Sequence, residues 1–144
     1  MDFARKVRKP VAIIAPDFKS EALTSLVVNH LKNVVKVVAI KTPVGQQSLP
    51  LLEDIASFSD GQVVSQAMGL RLGSIDPIRY LGKVESTVIT KDRTILVGGH
   101  GKMKARHDRD YSPIDERVFY LQGILDSEDL LLGEEEQEEM MARI

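Results

Sequence analysis

The run Gly98-Gly99-His100-Gly101-Lys102 comes nearest in this chain to a nucleotide-binding motif. A phosphate-cradling loop needs four residues between its glycines and a Ser or Thr after the lysine, so that backbone N–H groups wrap the phosphate and a hydroxyl meets the metal. Here two residues separate Gly98 from Gly101, and Met103 follows the lysine. The run is therefore read as a turn after a hairpin. Lys102, Lys104, Arg106, His107 and Arg109 form a basic cluster, but Asp108 and Asp110 interrupt it and only Tyr111 is at hand for base stacking, so a solvated loop is expected. His30, His100 and His107 have no metal-ligand spacing with carboxylates, and no G-x-S-x-G setting for a nucleophile occurs. Glu53 and Asp54 are adjacent, which on a helix sends them to different sides and prevents a converging acid–base pair. The glutamates between 134 and 139 read as the solvated start of a helix. The expectation is a chain with no catalytic residue, no metal site and no cofactor of its own.

Composition narrows the class further. The 144 residues suit one domain, expected over 1–144, which would bury close to 70% of the surface its unfolded chain exposes. The absence of cysteine excludes disulfides and thiolate zinc sites. Nineteen Lys and Arg against twenty-one Asp and Glu give a net charge of -2, so neither nucleic acid nor an anionic membrane is expected as a partner. The apolar runs are shorter than a spanning helix needs, and the opening MDFARKVRK leads to Pro16-Asp17 without a signal-peptide core.

The elements are organised around Glu21 to Lys32, EALTSLVVNHLK, set between the apolar runs Val11–Ala15 and Val34–Ile40. This spacing predicts a helix between two buried strands, with Ser20 as N-cap. At about 100° per residue, Glu21, Ser25, Asn29 and Lys32 share one narrow arc. Ala22, Leu23, Leu26, Val27, Val28 and Leu31 spread over roughly 240°, far more than one core-facing stripe requires. The helix thus has two apolar faces: Ala22 and Leu26 on one, with Leu23, Val27 and Val28 spread to its flank and far side.

Downstream, Ser48 is expected to cap a helix whose buried side carries Leu51, Leu52, Ile55 and Phe58 and which Asp60-Gly61 ends. A short strand at 62–65 and a short helix at 74–80, broken near Pro77, should follow. Val84–Thr90 and Thr94–Val97, joined through Lys91-Asp92-Arg93, predict a hairpin. Residues 98–113 read as a polar loop. Val118, Phe119, Leu121, Ile124 and Leu125 give 115–125 an amphipathic helical pattern, and a last helix opens at Glu134 with Arg143 near its end. This order argues for an α/β fold with both parallel and antiparallel pairing.

The segment KPVAIIAPDFKSEALTSLVVNHLKNVVKVVAIK, from Lys9 to Lys41, resembles the apical domain of group I chaperonins, the GroEL-type ring proteins of bacteria, mitochondria and plastids. Similar blocks follow in the same order: LEDIA at 52–56, VVSQAMGL at 63–70, Leu81-Gly82, VITKDRT at 88–94, and the closing EMMARI. The resemblance implies a layered β/β/α sandwich of the apical, swivelling type, in which residues 3–9 match the last turn of a preceding helix and 134–144 lead toward an intermediate domain.

The resemblance also implies a role. Chaperonin apical domains bind non-native polypeptides, and the co-chaperonin's mobile loop, in an apolar groove between two helices. The family's polypeptide-contacting positions fall here on Leu23, Val27 and Val28, with polar rim positions on Glu21, Asn29 and Lys32. By resemblance the full-length protein is a ring of like subunits using ATP and Mg, but no equatorial nucleotide motif is in this sequence, so the chain itself is not expected to be an ATPase. Such a protein would be cytoplasmic in a bacterium and lie in the mitochondrial matrix or plastid of a eukaryote. Three departures stand out: the partner helix of the groove is represented only by its tail, the loop at 43–47 is short, and the loop at 101–114 is longer than usual. Competing readings are a small-ligand-binding or enzymatic α/β domain, and a structural domain that has lost client binding; capture of an unfolded protein separates these from the first.

Overall fold

Residues 11–15 and 37–41 are β-branched or small apolar at nearly every position, and they pair as parallel strands. In the computed structural model, which describes residues 2–43, 45–102, 111–127 and 133–144, β1 (Val11–Ala15) runs beside β2 (Val37–Lys41), with Val11 opposite Val37 and Ala15 opposite Lys41. Parallel strands need a crossover, and helix α2 (Ser20–Leu31) supplies it. Helix α1 (Asp2–Val7) precedes β1, as the match of residues 3–9 to a helix end implies. The chain divides into two compact units, Met1–Leu52 and Glu53–Ile144.

The core of the first unit is small. Ala4, Val35 and Val37 are buried, and Val11, Ile13 and Leu26 pack against them. A fully buried Val or Leu contributes about 1.5–3 kcal/mol, so these few side chains account for much of what holds α1, α2 and the strand pair together. β2 begins three residues later than expected, at Val37 rather than Val34. The amides of Val34 and Val35 are taken by the Asn29 carbonyl, at 3.0 and 3.5 Å, and so cannot join the ladder. Ser48 is not a cap: it is the first residue of helix α3 (Ser48–Ser59), buried, with its hydroxyl 2.7 Å from that of the buried Thr42. Two buried hydroxyls satisfy each other there, which removes the cost of leaving either unpaired.

In the second unit α3 ends where Asp60, at φ 57°, turns left-handed and the Gly61 amide reaches the Ala56 carbonyl at 2.8 Å. The expected strand at 62–65 is absent. Gln62 donates to the Tyr80 carbonyl, and Ser65 instead caps a short 3₁₀ turn at Gln66–Met68 through the Ala67 amide. Helix α4 is only Pro77–Tyr80, because Asp76 caps it and Pro77 starts rather than breaks it. The hairpin forms as expected from β3 (Val84–Ile89) and β4 (Thr94–Gly99), antiparallel, with Thr90 and Arg93 closing the turn by backbone and hydroxyl bonds.

Helix α5 (Pro113–Leu125) starts two residues earlier than its apolar pattern, at a capping box made by Ser112 and Asp115. Leu121, 2% exposed, is its anchor. Phe119, expected on the buried side, is exposed and meets Tyr111 edge to face at 5.3 Å. Helix α6 (Glu134–Arg143) closes the chain. The fold is thus α/β, with a parallel and an antiparallel pair in two small sheets.

Candidate functional site

Helix α2 forms without a side-chain cap. Lys19, in extended conformation, occupies the N-cap position, and Ser20, expected to cap, is the first helical residue, where its carbonyl accepts the Thr24 hydroxyl at 2.9 Å. The far end is better closed. Lys32 returns its amide to the Val28 carbonyl, and Asn33 adopts φ 53°, a left-handed conformation that Asn tolerates better than most residues. Between these ends α2 lies on β2, and the Val37 amide donates to Nδ1 of His30 at 3.3 Å.

Only Leu26 among the apolar residues of α2 is partly covered, against the Ala4–Val35–Val37 cluster. Ala22, expected beside it, is exposed. Three, one and two residues from Leu26, Leu23, Val27 and Val28 are 39%, 54% and 41% exposed. No residue of the helix is buried. The second apolar face read from the sequence is therefore exposed.

The six expected contact residues fall into three places. Glu21, Val28 and Asn29, with Ser20, Thr24 and Ser25, line an open hollow of about 490 Å³. Leu23 and Val27 stand on the flank beside it, and Lys32 is the C-cap residue, exposed. Asn29 is half-buried, and one N–H of its amide donates to the Ser25 carbonyl at 2.7 Å, which orients the side chain along the helix. Leu31, 73% exposed, continues the line Leu23, Val27 by one more turn. Sequence reasoning placed it on the apolar arc without assigning it a contact; its signal was the repeated spacing of four.

The other candidate chemistries resolve into packing. Gly98 and Gly99 lie in β4, and a Cβ on Gly99 or Gly101 would collide with Phe58 or Ser57 of α3, so close packing explains these glycines. The greater part of the basic cluster, residues 103–110, lies outside the described residues. Among the described residues no group of three His, Asp or Glu side chains is placed to hold a metal ion.

No protein-family model matches the chain. It is 37% identical over 111 residues to the chaperonin GroEL of Orientia tsutsugamushi strain Boryong, and equally to that of strain Ikeda, in an alignment covering 76% of this chain. The chain is a group I chaperonin segment. It spans 18% of the length of these curated relatives.

In the second unit of this chaperonin segment, Glu53 and Asp54 do converge, on a cation rather than as an acid–base pair. Arg117 of α5 reaches Glu53 at 2.9 Å through Nη2 and Asp54 at 2.8 Å through Nε. Arg143 of α6 adds bonds to both Asp54 oxygens, 2.8 Å from Nε and 3.0 Å from Nη2. Burial disfavours the charged Asp54, but the hydrogen bonds from Arg143 and Arg117 outweigh it and hold the carboxyl below the usual carboxylate range. Donating to Asp54 in turn raises Arg143 above its ordinary value. This network joins three helices. It was invisible in the sequence because its members are separated by 63 and 89 positions.

Proposed function

We propose that this chain is the polypeptide-binding, apical-type domain of a chaperonin and that α2 presents the binding face. Leu23, Val27 and Val28 would contact non-native polypeptide, with Glu21, Asn29 and Lys32 as the polar rim. The observation that carries this reading is a crossover helix with no buried residue that leaves those three apolar side chains 39–54% exposed. Apolar contact is non-directional, so such a face can accept many sequences that share only unburied hydrophobic groups. A few side chains retain a client weakly, and useful capture then depends on several such faces acting together.

In this reading the co-chaperonin's loop uses the same face, and the longer protein is a ring of like subunits in which ATP and Mg act outside this segment. The two small sheets and their helices belong to a β/β/α sandwich, and α6 leads toward an intermediate domain. The bacterial relatives support a cytoplasmic setting.

The test is retention of a chemically unfolded test protein by the purified chain, compared with its Leu23→Ser and Val27→Ser variants. Retention by the parent and its loss in both variants is expected. A parent that retains nothing, or variants that retain as much as the parent, would overturn the proposal.

A further inference from the structure

The two compact units carry opposite charge. Residues 1–52 hold eight Lys and Arg against three Asp and Glu, a formal +5 inside a chain whose total is -2. One of those three acids, Asp17, is already paired with Lys41 at 2.8 Å. The exposed face of α2 lies in this basic unit, and the helix is bracketed by lysines at both cap positions, Lys19 and Lys32, each exposed. Glu21 is the only acid on the helix. Along the axis between the two lysines run Leu23, Val27 and Leu31, one helical turn apart, the last the most exposed of the three, while Lys32 ends the helix on the arc of Glu21 and Asn29.

We propose that the α2 face selects polypeptide segments that are both apolar and anionic: a few apolar side chains seated along Leu23, Val27 and Leu31, flanked by carboxylates drawn to Lys19 and Lys32. This rests on the polypeptide-binding reading above and names the class of segment that site prefers. Successive side chains of the stripe are about 6 Å apart along the helix, which lets three apolar groups of one bound segment dock together. The cationic flanks add long-range attraction, which raises encounter rates and disfavours basic segments. A polynucleotide would satisfy the charge but not the apolar stripe; α2 carries no Phe, Tyr or Trp, and its one aromatic ring, His30, accepts the Val37 amide of β2, so the stripe offers no stacking platform.

The experiment uses the whole chain and three fluorescent peptides with one shared leucine- and valine-containing centre, flanked by Glu, Gln or Lys, followed by anisotropy at low and high salt. The Glu-flanked peptide should bind best, about tenfold tighter than the Lys-flanked one at low salt, with the gap closing as salt screens the flanks. Lys19→Glu combined with Lys32→Glu should abolish or reverse that order. Leu31→Ser should weaken all three peptides several-fold while keeping their order. Equal affinity for the three peptides, an order unchanged in the double lysine variant, or equal binding of a single-stranded oligonucleotide of matched charge would overturn the inference. If unfolded protein is captured and the order is absent, the charge preference alone fails. If neither unfolded protein nor any peptide binds, the polypeptide-binding reading fails with it.

Discussion

Leu26 and Val27 are neighbours in sequence and opposites in environment, the first packed on the Ala4–Val35–Val37 cluster and the second 54% exposed. Leu26→Ala should cost about 2 kcal/mol, the lower end for a buried leucine because Leu26 is only half-buried. Val27→Ser and Val28→Ser should stay within about 0.5 kcal/mol of the parent while client retention falls. Thermal unfolding of the three variants beside the retention assay checks both halves. Asp54 makes a different prediction. Its carboxyl ionises more readily in the folded chain than in the unfolded one, so its stabilisation is full above the ordinary carboxylate range and is lost as pH falls through its lowered folded value. Asp54→Asn should cost about 1–3 kcal/mol at neutral pH by weakening its bonds to Arg117 and Arg143. The variant should also lose less stability than the parent on acidification, which melting at a series of pH values would show. An equal acid-side decline in both proteins would assign the effect to other carboxylates.

Among the elements, α2 and α5 show how differently two helices of similar length are ended. Ser112 and Asp115 close a full capping box on α5, whereas Lys19 caps α2 with backbone alone. Ser112→Ala should therefore destabilise the second unit by about 1 kcal/mol, measured by chemical denaturation. At the other end of α2, Asn33 holds a left-handed φ of 53°. Asn33→Val, β-branched at that angle, should cost about 1–2 kcal/mol, whereas Asn33→Gly should be tolerated. The expected strand at 34–40 starts late because of this same turn: the amides of Val34 and Val35, bonded to Asn29, cannot also pair with β1, and the first contact with β1 is the Lys36 carbonyl, which accepts the Val11 amide. Apolar character marks a stretch as buried without saying which backbone groups it will bond, and Val34 and Val35 illustrate the difference.

For the whole molecule, the matched relatives are far longer than this chain, which covers 18% of their length. The only glycine run resembling a phosphate loop is occupied by packing against α3. Calorimetry of the chain with ATP should give no binding in the micromolar range, and a micromolar Kd would place a nucleotide site here. The sequence by itself determined the β1–α2–β2 crossover, the hairpin and the closing helices, because periods of 2 and 3.6 and turn residues are local properties of a chain. It also determined that α2 has more apolar surface than one core can use. The tertiary structure alone decided which part of that surface is covered: Leu26 meets Val35 and Val37, Ala22 does not, and Leu31 is left outermost. It alone joined Asp54 to Arg117 and Arg143. Burial and ion pairing depend on contacts between residues distant in sequence, and no local pattern of side chains encodes which of them will meet.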